Sequence, residues 1–183
     1  MCYRPAADYE EDLRTRIGAL WEAAQSGSYR ALPSGRVHIP KADGKLRPLG
    51  IAELDDKTFQ QAVVTALTPI YETAFRGFSY GFRPGRSQRN ALDALYMAFR
   101  RRHVGLVLDA NIRSFFDTVD HGWLMCFLEH RIAGKRILRL IRKWLSADVL
   151  EDGQKVAVTL GTPQGAGISP LLVNVYLHQV FDL

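Results

Sequence analysis

The run VLDANIRSFFDTVDH, residues 107–121, gathers oxygen donors where an apolar stretch ends: Asp109, Asn111, Asp117 and Asp120. If residues 105–111 form a strand, alternation puts Asp109 and Asn111 on one face, about 6.6 Å apart. Donors in such a place suit a metal site opening onto the end of a strand, where a hard cation prefers carboxylate to a neutral amide. Asn111 can therefore ligate but brings no charge, and Asp109 reaches the same ion only with a shift of register. A plain strand-end asparagine in a protein that needs no metal is the other reading. Asp120 reads as the N-cap of the helix that follows.

Holding these groups takes both strands and helices. Residues 8–25 have helical spacing in Leu13, Ile17, Leu20, Trp21 and Ala24, with Asp8 as the cap. RVHIPKADGKLRPLGI reads as a hairpin, because two alternating runs flank an Asp-Gly turn. A helix over 55–75 follows, then the Gly- and Pro-rich SYGFRPGRS, then a helix capped by Ser87 and running to about residue 102. HVGLVLDANI is the most strand-like run, expected at the centre of a sheet. Helices are expected near 121–131 and 134–146, a strand at KVAVTL, a loop at GTPQGAGISP and a last helix with Pro170 in its first turn. This mixture predicts an α+β fold.

Composition narrows the function. The chain has 24 Lys+Arg against 19 Asp+Glu, a net charge of +5, which favours a polyanionic partner. The excess is local: residues 76–113 hold eight arginines against two aspartates, and residues 131–143 hold six basic side chains and no acid. A solvated cationic face is the alternative. Cys2 and Cys126 form neither a CxxC pair nor a disulfide framework. No stretch reaches the ~18 apolar residues of a membrane span, so a cytoplasmic protein without a membrane partner is expected. The glycines at 161, 165 and 167 do not make GxGxxG, Gly134-Lys135 lacks the phosphate-loop spacing, and no HExxH occurs.

Taken together and in order, KADGKLRPLGI, SYGFRPGRS, LDANIRSFFDTVDH and GTPQGAGISPLL resemble the reverse transcriptase domain of group II intron-encoded proteins, the intron maturases. The resemblance covers residues 36–182. It implies a right-hand polymerase: residues 1–35 an N-terminal extension of helix and loop, 36–103 the fingers, and 104–183 a partial palm with an antiparallel or mixed sheet packed on helices. It assigns Lys41 and Arg47 to the triphosphate, although an ordinary basic hairpin would read the same. Arg83 and Arg86 are assigned to template or phosphate, their guanidinium groups projecting from a loop fixed by Pro and Gly.

By the same resemblance Phe116 excludes the 2′-hydroxyl of a ribonucleotide while Phe115 is core; a core role for both is the alternative. Gln164 and Gly165 lie against the nascent base pair, and Ala166 stands where the family usually has a second glycine. Asn111 occupies a slot that carries a metal-binding aspartate in the family. The Tyr-x-Asp-Asp box of these polymerases would follow the last helix and is not within the 183 residues. The expectation is a piece of an Mg2+-dependent RNA-directed DNA polymerase that binds RNA template, RNA/DNA duplex or intron RNA. By itself it should be inactive, hold no metal tightly, and self-associate through the incomplete palm. The alternative is a catalytically degenerate relative that binds RNA in intron splicing or defence.

Overall fold

Asp120 begins a helix in the way its sequence position suggests: its carboxylate accepts the amide of Trp123 at 2.8 Å and starts α5, His121–Glu129. The computed structural model describes residues 12–40, 44, 46–101, 104–163 and 165–183. The other elements are α1 (Leu13–Ser26), β1 (Ser34–Pro40), β2 (Leu46–Ile51), α2 (Leu54–Glu72), α3 (Gln88–Arg101), the single turn α4 (Phe115–Thr118), α6 (Lys135–Leu145), β3 (Val149–Glu151), β4 (Gln154–Val156) and α7 (Ser169–Leu177), which runs on into a π-turn, His178–Asp182. The α+β class holds. Asp8 lies outside the described residues.

The core is helical. Leu138, Ile141 and Leu145 recur at helical spacing along α6 and are buried with Trp144, while Arg136, Arg139 and Arg142 face outward. They pack with Leu124 and Leu128 of α5, Leu172 and Val175 of α7, and Val63, Leu67 and Tyr71 of α2. Each fully buried leucine contributes about 1.5–3 kcal/mol relative to exposure. A polar knot ties α2 to α6 at the edge of this core. Tyr29 donates its hydroxyl to buried Asp56 and accepts the indole N–H of Trp144 at 2.6 Å, and the amide of Leu32 donates to Asp56 at 3.0 Å. Burial pushes the Asp56 carboxyl above the ordinary aspartate value, partly offset by these two donors. Burial likewise pushes the Tyr71 phenol up to about 12.

The sheet is mixed and has the order β2-β1-β3-β4. The expected hairpin forms β1 and β2, antiparallel with Val37 opposite Leu49, and Gly44 in its turn sits at φ 77°. β3 then runs parallel to β1 and antiparallel to β4, so the pairing reaches across the expected fingers–palm boundary.

One expectation is corrected here. Residues 104–112 are not the central strand of a palm sheet: they are irregular and exposed, with Leu106 at 87% and Leu108 at 85% accessibility. Strand propensity reflects fit to a pleated, paired surface, and no described strand offers this segment a ladder. The strand expected at KVAVTL is likewise shorter, ending at Val156.

Candidate nucleotide and template site

Residues 160–163 and 165–167 belong to a loop whose path is set by two glycines. Gly161 lies at φ 82°, and a Cβ there would come within 2.8 Å of the Asp117 backbone. Only hydrogen fits such an approach. Here the Gly161 amide donates to the Val119 carbonyl at 2.8 Å, and the Thr162 amide to the Phe116 carbonyl at 2.6 Å. His121 Nε2 stands 2.6 Å from the Gly161 oxygen. On the opposite flank, Gly165 at φ 104° would place a Cβ 2.7 Å from the Gly50 carbonyl oxygen of β2. Ser169 Oγ donates to the Pro163 carbonyl at 2.8 Å and tethers the loop to α7, while the Ala166 methyl is buried beneath it. The loop is thus wedged between the phenylalanine turn and the basic hairpin. A cavity of about 400 Å3 lies there, lined by Arg36, Pro48, Gly50, Asp117 and residues 156–163.

Phe115 and Phe116 are both partly buried against the core. Their rings diverge: Phe115 meets Tyr176 at 6.0 Å and Phe116 meets Phe82 edge-on at 6.1 Å. Phe82 is 69% exposed and has φ 53°, so the SYGFRPGRS loop delivers an aromatic ring to Phe116. Asn174 holds that loop by donating to the Gly81 carbonyl at 2.8 Å.

Arg83 departs from expectation. Its guanidinium does not project. It is buried, forks onto the Glu72 carboxylate at 2.8–3.2 Å, donates to the carbonyls of Arg76 and Ser79, and lies over the Phe75 ring. With its donors engaged inside the protein it anchors the loop and has no reach to a template. Arg86 is half-exposed, donating to the Gly77 carbonyl above the Tyr80 ring.

Of the other expected site residues, Lys41 and Gln164 lie outside the described residues. Arg47 is placed by its backbone, in β2 opposite Ile39 and three residues before Gly50. Asp109 and Asn111 sit on the exposed irregular segment. Among the described residues no three His, Cys, Asp or Glu side chains converge as a metal cluster would require. The uncharged Asn111 and the isolated Asp109 therefore do not fit a divalent ion by themselves. Asp55-Asp56 is no substitute, since Asp56 is consumed by the Tyr29 knot and Asp55 pairs with Arg16 at 3.2 Å.

Sequence reasoning missed His121 and Phe82. The signal for Phe82 was its place beside the rigid Arg-Pro-Gly.

Residues 39–183 match the family described as reverse transcriptase (RNA-dependent DNA polymerase). The chain belongs to the reverse transcriptase family. The expected likeness to group II intron-encoded proteins is borne out as well. This reverse transcriptase chain is 37% identical, over 90% of its length, to the group II intron-encoded protein LtrA of Lactococcus lactis subsp. cremoris. It is 39% identical, over 93% of its length, to protein YkfC of Escherichia coli. It spans less than half of each, 27% of the first and 45% of the second. Among solved structures it is similar to a partial Cas6-RT-Cas1--Cas2 complex, with a TM-score of 0.63 and 26% identity over 95% of this chain and 29% of that one.

Proposed function

We propose that this chain is the template- and nucleotide-binding part of an RNA-directed DNA polymerase of the group II intron-encoded kind, taking an RNA template or RNA/DNA duplex and a deoxynucleoside triphosphate. The wedged loop carries this reading: Gly161 against the phenylalanine turn and Gly165 against β2 bring three of the four sequence motifs to one place. Phe116 and Phe82 offer ring surface to base and sugar, and the hairpin that bears Arg47 supplies cationic charge for phosphates. The glycines at 161 and 165 let the loop close directly on the Asp117 backbone and the Gly50 carbonyl. Arg86 replaces Arg83 as the template contact of the SYGFRPGRS loop.

The test is binding of a labelled RNA/DNA primer-template and of a fluorescent deoxynucleoside triphosphate. Duplex affinity in the micromolar range should fall steeply as salt rises, and Arg86→Glu should weaken it by about 10-fold. Salt-insensitive binding, or no loss in that variant, would refute the assigned face. Duplex binding with no triphosphate binding would favour the RNA-binding relative that Asn111 suggests.

A further inference from the structure

His121 was assigned no contact with phosphate, base or template, yet its side chain meets the loop at 2.6 Å. Asp120 fixes the first turn of α5 by capping Trp123, so the imidazole on the next residue leaves the helix in one direction. It meets the Gly161 carbonyl at 2.6 Å. A carbonyl only accepts, so Nε2 carries the proton in this contact. The amides of Gly161 and Thr162 are bonded in turn to the carbonyls of Val119 and Phe116. Three hydrogen bonds thus hold two loop residues on the turn that bears Phe116, with no room for a side chain at Gly161 to act as a spacer.

We propose that His121 is a positioning residue for Phe116: by clamping Gly161 it holds the loop on the Phe116 carbonyl. It thereby fixes the ring that separates deoxyribonucleoside from ribonucleoside triphosphates. The functional half rests on the nucleotide-binding reading above; the clamp itself does not. Phe116 is held at its carbonyl by the Thr162 amide, and its ring meets the Phe82 ring edge-on. Phe82 is exposed. The loop is held at the Phe116 and Val119 carbonyls, and His121 is the side chain that closes on it.

The experiment uses the full 183-residue chain as wild type, His121→Ala and His121→Gln, the glutamine amide restoring a donor near the Nε2 position. Amide hydrogen exchange is read at Gly161 and Thr162, with amides inside α5 and α6 as the control for the fold. His121→Ala should speed exchange at the two loop amides by about 10-fold or more and leave the helices unchanged, and His121→Gln should return it to within about 3-fold of wild type. Dissociation constants for one deoxyribonucleoside triphosphate and its ribonucleoside counterpart should change in step: the preference collapses toward parity in the alanine variant and survives in the glutamine variant.

Unchanged loop exchange in His121→Ala would overturn the clamp. Faster exchange throughout α5 and α6 would make His121 a support of the fold and overturn its positioning role. Faster loop exchange with an unchanged triphosphate preference would overturn the link to Phe116. A wild type that binds neither triphosphate would sink the nucleotide reading and the discrimination with it, and the exchange data would still decide whether the clamp exists.

Discussion

The loop at 160–167 and the segment at 104–112 are both glycine-containing, both lack regular structure and both come from motifs that drew attention first. One is tied down by the backbone bonds of Gly161 and Thr162 and by the side chains of His121 and Ser169. The other leaves Leu106 and Leu108 almost wholly exposed and its backbone without a ladder. Composition would rank them the other way, since the apolar β-branched segment has the stronger local preference. Order at a site here comes from nonlocal steric and hydrogen-bond partners, with propensity a weak contributor.

That contrast can be broken by substitution. The largest effect is expected at Glu72→Ala, which strands the buried Arg83 guanidinium beneath the SYGFRPGRS loop; loss of one partner of a buried pair should lower unfolding free energy by about 3 kcal/mol in urea titration. Gly161→Ala forces a methyl into the Asp117 backbone at positive φ and should cost about 2–3 kcal/mol, read in the same way. A stability loss below about 0.5 kcal/mol in either would mean the loops are held less firmly than their contacts require.

Asp56 sharpens the comparison through pH. Its folded-state value is raised above the ordinary 3.8, so the folded protein binds this proton more tightly than the unfolded chain. The stabilisation is complete below 3.8 and is lost as pH rises through the folded-state value. Urea titrations of wild type and Asp56→Asn at several pH values in that window should show wild type losing ground to the variant as pH rises, and a constant difference would contradict the shift.

Smallest of all should be Leu106→Ser with Leu108→Ser, within about 0.5 kcal/mol of wild type because nothing is unpacked. A larger loss would show that the segment has a partner in solution. Asn111→Asp should leave Mg2+ binding by calorimetry no tighter than about millimolar, since one added carboxylate does not complete a ligand set.

Much of this was readable from the sequence where one local rule sufficed. Asp120 caps α5, Ser87 exchanges hydrogen bonds with Asn90 at the start of α3, and the alternation around Asp43-Gly44 gives the β1–β2 pairing. A second hairpin carried the same kind of signal and was read only in its latter half. Asp152 and Gly153, at φ 49° and 80°, turn β3 into β4. What could not be read depended on distant partners. Arg83 has the sequence of a projecting fork, and only the fold brings Glu72, eleven residues upstream, to meet it. The strand expected at 105–111 failed for the converse reason: local preference favoured it, and no described strand pairs with it.

The exposed segment also makes the chain divisible. Residues 12–101 and 113–183 meet without its help, through the parallel β1–β3 pairing, the Tyr29–Trp144 hydrogen bond and the packing of α2 on α7. A protease that threads extended polypeptide through its cleft would find this stretch first, and the two pieces should stay together after the cut. The same property marks 104–112 as a place to divide the gene, so that two separately expressed polypeptides recover one domain on mixing and report when they have met.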